Sequence, residues 1–240
     1  MGKKVDVIYP VGTGSTWDNN ELKYSLRSLE KHGKDVRNVY IIGEKPEFIS
    51  DEVTFIPFKD EHSYAVINVN EKILHVLNNW EVTDDFVYMN DDFFLLKDVN
   101  LGQYPYYYKR NLKPEEEKSR YGKSLVFTYY YLIFQQKKYK NFELHLPIVF
   151  NRDKYMAMEK EWDVCRKMPL GLQLRSIYCN MLEIEGVKTR DSKIRTFDSV
   201  EEVSKTIESR DCFSIADSSI ECGMDHILNE LFPDKSKYEI

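Results

Sequence analysis

An α/β fold, a doubly wound and largely parallel sheet flanked by helices, is the class this chain predicts. Short apolar runs at residues 5–9, 39–42, 53–57 and 87–89 are near-continuous rather than alternating, as in strands buried on both faces. Helical patterns at residues 18–30 and 66–77 interrupt them, giving the order strand, helix, strand, strand, helix, strand. The 240 residues, 42% hydrophobic and 31% charged, suffice to bury one sizeable core.

The first strand runs into Pro10-Val11-Gly12-Thr13-Gly14-Ser15, a glycine-bearing turn. Asp18 and Glu21 have the spacing of an N-cap and its partner, opening a helix to about residue 30 on a stripe of Leu22, Leu26 and Leu29. Two strands and the helix at 66–77 precede the strand at Val87. The second half changes character. Residues 109–123 (KRNLKPEEEKSRYGK) are densely charged and read as a loop, with a closing lid the sharper alternative. The aromatic run 125–134 reads as a helix, strand being left open, and 152–166 and 172–185 read as helices, the latter ended by Gly186. Ser199 and Glu202 form a capping box for a helix to residue 208. Residues 212–216 make a strand, and 224–232 a helix stopped by Pro233. No repeat or linker divides the chain, so one domain with a mainly helical C-terminal elaboration is expected.

A net charge of −6 argues against charge-driven nucleic-acid binding, although a local basic patch could still visit DNA. No apolar stretch approaches the ~20 residues that span a bilayer. The N-terminus shows no signal-peptide apolar core, and residues 2–7 lack the Ser or Thr of a myristoylation signal. Membrane insertion is not expected. Cys165, Cys179, Cys212 and Cys222 lie too far apart for a CxxC metal motif and are expected as reduced core thiols of a cytoplasmic protein. The 14% aromatic content, much of it tyrosine, suits stacking on bases or sugar rings.

The most informative stretch is VYMNDDFFLL, residues 87–96. Asn90, Asp91 and Asp92 end a buried strand, and two adjacent carboxylates there are costly unless something cationic neutralises them. A hard divalent metal does so while keeping positions open for phosphate oxygens. Ligands in open α/β sheets also gather at the carboxyl ends of strands. The bland alternative is a solvated Asn-Asp turn.

Residues 19–42 (NNELKYSLRSLEKHGKDVRNVYII), followed by FVYMNDDFFL at 86–95, resemble the Stealth family of sugar-phosphate transferases, and more broadly the GT-A glycosyltransferases. His145-Leu146-Pro147 resembles the family's His-x-Pro segment, and Leu174-Arg175-Ser176 its Arg-Ser segment. Residues 213–217 with NELFPDKSKYE at 229–239 resemble its closing block. The resemblance implies a GT-A-like mixed sheet, a nucleotide-sugar-binding half (1–108) and an acceptor-side half (109–240). It also implies a nucleotide-sugar donor, in particular a UDP-sugar. Two departures stand out. The first-strand loop reads YPVGTGS, without the family's acidic residue, and the closing Asn-Asp is Ala216-Asp217.

On this resemblance Asp91 and Asp92 hold Mn²⁺ or Mg²⁺ against the donor diphosphate. Tyr9, Pro10, Val11 and Gly12 lie where such folds place base and ribose, a plain glycine turn being the alternative. Arg27 is a phosphate partner or a solvated arginine, and Asn68, like Asn70, is an N-cap first and a sugar contact second. Asn90 joins the donor site. His145 is either a core histidine or the base that takes the acceptor proton. Arg175, if buried, needs a partner such as phosphate. Asp217 is a second metal ligand or a base.

The expected function is metal-dependent glycosyl transfer to an acceptor the sequence does not identify: glycan, metabolite, protein or modified nucleic acid. Sugar-1-phosphate transfer is the rival, and a non-catalytic carbohydrate- or nucleotide-binding module the third reading. The missing loop acid tips the choice towards attack at the anomeric carbon.

Overall fold

In the computed structural model, which describes residues 3–115 and 118–240, β1 (Val5–Val11) lies at the centre of a five-stranded sheet. Residues 1, 2, 116 and 117 lie outside the described residues, and with them part of the N-terminal reading and of the charged segment 109–123. The first half continues as α1 (Asn20–His32), β2 (Val36–Gly43), β3 (Val53–Pro57), α2 (Ala65–Asn79), β4 (Asp85–Tyr88) and β5 (Phe93–Leu95). After a 3-10 turn at Leu101–Gln103 come β6 (Tyr107–Tyr108), β7 (Arg110–Asn111), α3 (Arg120–Phe134), β8 (Lys140–Asn141) and β9 (Ile148–Asn151). The chain closes with α4 (Arg152–Ala157), α5 (Glu159–Lys167), α6 (Leu174–Met181), β10 (Val187–Lys188), β11 (Lys193–Ile194), α7 (Val200–Ile207), β12 (Cys212–Ile215), α8 (Asp217–Ile220) and α9 (Met224–Leu231).

The main sheet has the order β3-β2-β1-β4-β9, parallel except for the antiparallel β9 at one edge. Because strand side chains alternate, β1 feeds both layers. Val7 and Tyr9 pack with Leu22, Leu26 and Leu29 of α1, while Ile8 packs with Ile73, Val76 and Leu77 of α2. A second sheet, β11-β12-β5, carries its own apolar cluster around Phe94, Phe213, Ile215 and Leu228. The strand β5 thus follows the Asn-Asp-Asp segment directly and pairs with β12, with Ser214 opposite Phe93. That register brings the end of β12 level with Asp92.

Several elements differ from expectation. The predicted helix at 152–166 breaks at Met158 into α4 and α5, where the Trp162 indole donates to the Tyr155 carbonyl at 2.7 Å. Helix α1 starts at Asn20, with Asp18 and Asn19 in left-handed conformations and no side-chain cap. Ser15 Oγ serves instead, accepting from the Trp17 and Asn19 amides. Glu21 is therefore free of capping duty. Asn68 and Asn70 are not caps either, because α2 begins at Ala65 and both lie inside it. Cys165, Cys179 and Cys212 are buried thiols, but Cys222 is exposed.

Arg27 also departs from its expected place. Its guanidinium makes a bidentate pair with Glu239 at 2.9 and 2.8 Å and donates to the Phe232 and Pro233 carbonyls. It ties α1 to the closing segment rather than meeting a donor phosphate, because its position on α1 faces that segment. Burial alone would raise the Glu239 pKa, but hydrogen bonds from Arg27 and Ser236 outweigh it and hold the value below the ordinary 4.5. Its stabilising contribution is thus complete above that value and fades as pH falls through the lower folded one. Arg27→Ala is expected to cost about 3 kcal/mol, the low end for breaking a buried pair because the guanidinium is partly wetted. A melt should fall by roughly 6–12 °C at neutral pH, with little difference from the parent at strongly acid pH. An unchanged melting temperature would refute the clamp.

Candidate active site

The carboxyl ends of β1, β2, β3 and β4 share one edge of the sheet, and the carboxylates of Glu21, Asp60, Asp91 and Asp92 collect there. The opposite edge supplies a contrast. Asp6, fully buried near the start of β1, is saturated by Arg37 at 2.9 and 2.6 Å and by the backbone amides of Asn38 and Thr83. Asp92 is handled differently. Its Oδ2 accepts from Lys193 Nζ at 3.0 Å and Ser214 Oγ at 2.9 Å, while Oδ1 is buried without a hydrogen-bond partner among the described residues.

Around Asp92 opens a cleft of about 610 Å³, walled by Gly12, Glu21, Asp60, Asp91, Lys193 and Asp217. Glu21 Oε2 is another buried oxygen with no hydrogen-bond partner among the described residues. Burial, then the charges of Asp92 and Glu21, push the Asp91 carboxyl well above its ordinary pKa, with Lys193 pulling the other way. Crowded, poorly solvated carboxylates with spare lone pairs are what a divalent cation relieves. Among the described residues no three His, Cys, Asp or Glu side chains form a metal cage by themselves. An ion such as Mg²⁺ needs only one or two carboxylates and completes its shell with substrate phosphates and water. The residues present fit the ion.

Beside the cleft, across Ala65, lies a second hollow of about 360 Å³. Tyr64, Tyr88, Asn90, Tyr121, His145 and Arg175 are among its walls. Arg175 is buried on α6, donates to the Leu144 carbonyl and to Asn90 Oδ1 at 3.2 Å, and stacks over Tyr88 and Phe93 at 4.7 and 5.2 Å. It has no carboxylate partner among the described residues. His145 meets the edge of the same Phe93 ring, centroids 6.4 Å apart, and its Nδ1 lies 3.0 Å from both oxygens of Asp191. Phe93 follows Asp92 in sequence, so base candidate, guanidinium and carboxylates surround one strand end.

A third hollow, about 550 Å³, sits at the ends of β1–β3 between Val11, Gly43, Phe58, Asp60 and Lys72. Lys72 is buried on α2, donating to the Val11 carbonyl at 2.7 Å and pairing with Asp60 at 2.6 Å. Gly43 has φ 130°, and a Cβ there would lie 1.9 Å from the Val11 carbonyl oxygen, so only glycine lets the strands meet.

Most of the expected residues gather here. Asn90, Asp91, Asp92, His145, Arg175, Asp217, Val11 and Gly12 line the three hollows, and Asn68 borders the acidic cleft. Asn68 uses its amide on the His62 backbone at 2.9 and 2.7 Å, holding that loop. Tyr9 lines none of the three hollows. Strand alternation sends it into the α1 layer, where its hydroxyl meets Ser25 Oγ at 3.1 Å and burial raises its pKa far above the ordinary value. Pro10 stays in strand register opposite Ile42. Glu21, Asp60, Lys72, Asp191 and Lys193 were not anticipated. Lys72 alone had a sequence signal, lying four residues from both Asn68 and Val76 and so sharing their buried helix face.

Residues 15–113 match the family model for Stealth protein CR2, conserved region 2. The N-acetylglucosamine-1-phosphotransferase subunits alpha/beta of Mus musculus and Homo sapiens are each 34% identical over 91 residues, 34% of this chain and 7% of theirs. The capsular polysaccharide phosphotransferase cps1A of Actinobacillus pleuropneumoniae is 29% identical over 103 residues, 38% of this chain and 28% of its own. The chain thus spans 7% of the length of the mammalian relatives and about a quarter of the bacterial one. Among solved structures, the galactosyltransferase LgtC in complex with donor and acceptor sugar analogues superposes with a TM-score of 0.52 at 13% identity, covering 97% of this chain and 96% of that one. The fold is that of the GT-A glycosyltransferases.

Proposed function

Because the chain carries Stealth conserved region 2 on a GT-A fold, we propose that it transfers sugar-1-phosphate from a nucleotide-sugar donor to an acceptor hydroxyl. The relatives that match over 91 and 103 residues are phosphotransferases by name, which favours this reading over the glycosyl transfer expected from sequence. The absence of an acid in YPVGTGS loses its force, since Glu21 lines the same cleft as Gly12. The observation that carries the proposal is Arg175, a buried guanidinium without a carboxylate partner among the described residues, in one hollow with His145. Such a cation suits the charge that gathers on a phosphorus under attack.

The hollow between Val11, Phe58 and Lys72 suits the nucleoside, uridine in our reading, and the acidic cleft the diphosphate. Asp91 and Asp92, with Glu21 or Asp217 within the same walls, would hold Mg²⁺ or Mn²⁺ there, and the bound ion would neutralise the diphosphate. His145 takes the proton of the acceptor hydroxyl as that oxygen bonds to the sugar-linked phosphorus. The bond from this phosphorus to the bridging oxygen breaks, and nucleoside monophosphate leaves with the electron pair. Arg175 holds the equatorial oxygens of the transferring group. The thiols at Cys165, Cys179, Cys212 and Cys222 support a reducing, cytoplasmic setting.

The test is the nucleotide released. UDP-sugars that stabilise the protein against heat in the presence of Mn²⁺ are incubated with simple hydroxyl acceptors, and the products separated by chromatography. Uridine monophosphate and a phosphodiester-linked product are expected. Uridine diphosphate as primary product would return the function to glycosyl transfer, and no turnover with tight donor binding would leave a binding module.

A further inference from the structure

Asp191 stands outside every motif that led to the site, in a polar run between two short strands, yet it touches residue 145 three times. One carboxylate oxygen accepts from the His145 backbone amide at 3.1 Å, and both lie 3.0 Å from Nδ1. The next residue completes the grip, Ser192 Oγ donating to the His145 carbonyl at 2.9 Å. Backbone donor, backbone acceptor and ring are all fastened to two consecutive residues. Among the described residues, the other titratable and charged groups facing this pair are Lys109, 3.9 Å from Asp191, and Tyr121, Glu143 and Arg175, which line the hollow with His145.

We infer that Asp191 is the positioning residue for His145, holding the ring with Nδ1–H directed at the carboxylate and the unprotonated Nε2 directed at the hollow. This rests on the reading of His145 as the base. An ionised carboxylate can only accept, so the ring nitrogen beside it must carry the hydrogen. A neutral imidazole has one N–H, and Nε2 is left with the lone pair that a base needs. Burial works against the Asp191 charge, but hydrogen bonds from the His145 ring and amide and the Lys109 charge, joined by the charge of the imidazolium once it forms, hold its carboxyl well below the ordinary range. Asp191 is therefore ionised at neutral pH. When Nε2 accepts the acceptor proton, the imidazolium forms against an anion already in place, without reorganisation.

Two measurements test this. Nitrogen-15 NMR of the intact protein, taken at a pH where the ring carries a single N–H, should show His145 with Nδ1 protonated and Nε2 bare. A neutral ring protonated at Nε2 overturns the inference without any variant. In the second, Asp191→Asn and His145→Ala are assayed for nucleoside monophosphate release from a UDP-sugar with glycerol or a methyl glycoside. The asparagine can offer its own N–H to Nδ1 and so favours the wrong tautomer. Asp191→Asn is expected to lower kcat about 10²–10³-fold with donor Kd unchanged, and to move the acid limb of the pH–rate profile to lower pH. A donor Kd weakened in step with kcat would make Asp191 structural instead. If His145→Ala stays active, the base reading itself fails. If it is inactive while Asp191→Asn keeps rate and profile, the base reading stands and the inference falls.

Discussion

Asp92→Asn should fold like the parent and lose transfer by well over ~100-fold, because a carboxylate placed to hold a divalent cation is worth several kcal/mol to the transition state. The substitution is nearly isosteric. The amide keeps an oxygen for Ser214 and Lys193, so the link between the Asn-Asp-Asp segment and β12 survives while the charge does not. Lys193 then faces the cleft with its ion pair gone, which makes the local field more positive and opposes entry of a cation. Rate measured against Mn²⁺ concentration separates the effects. A curve displaced to higher metal concentration with an unchanged plateau means that Asp92 only recruits the ion, whereas a lowered plateau means that it also shapes the reacting complex. Full activity in the variant, or parent activity indifferent to EDTA, would remove the metal from this site.

Arg175→Met is expected to reduce kcat by about 10³–10⁵-fold, the range seen when an arginine that meets a transferring phosphoryl group is taken away. Methionine suits the position because its flexible apolar chain can lie against Tyr88 and Phe93 without leaving a buried charge. Removal of a buried cation with no carboxylate partner among the described residues should leave the melting temperature nearly unchanged or higher. Arg175→Lys is expected to fall between parent and Met, since one ammonium cannot serve Leu144, Asn90 and a phosphoryl oxygen in a planar fork. If the methionine variant changes only KM, the guanidinium binds the donor equally in ground and transition states. If neither constant moves, the main support for phosphoryl transfer is gone.

How far the sequence could be read follows from which features were local. The strands of the parallel sheet announce themselves because burial on both faces leaves continuous apolar runs, and 53–57 lies where the structure has it. The edge strand Ile148–Asn151 was hidden behind Pro147, next to a histidine that drew attention as chemistry. Asp91 and Asp92 were legible because two neighbouring residues carry the whole signal. Glu21 was legible only as the wrong thing, since its spacing from Asp18 satisfies a capping rule that the left-handed backbone at 18 and 19 sets aside. Arg27 has the chemistry of a phosphate ligand, and nothing nearby in sequence reveals that Glu239 lies against it. Asp191 and Lys193 could not be found at all, for their meaning lies in partners 46 and 101 positions away.

That last pair has one more implication. Asp191 and Lys193 are separated by a single residue, yet one grips a side chain at position 145 and the other a side chain at position 92. Two residues of chain reach no further than about 7 Å, so ordinary bond lengths set the gauge between the anchor of His145 and the anchor of Asp92. The spacing itself therefore matters as much as the side chains, and one residue inserted after Asp191 would put the two anchors out of phase while leaving every functional group present.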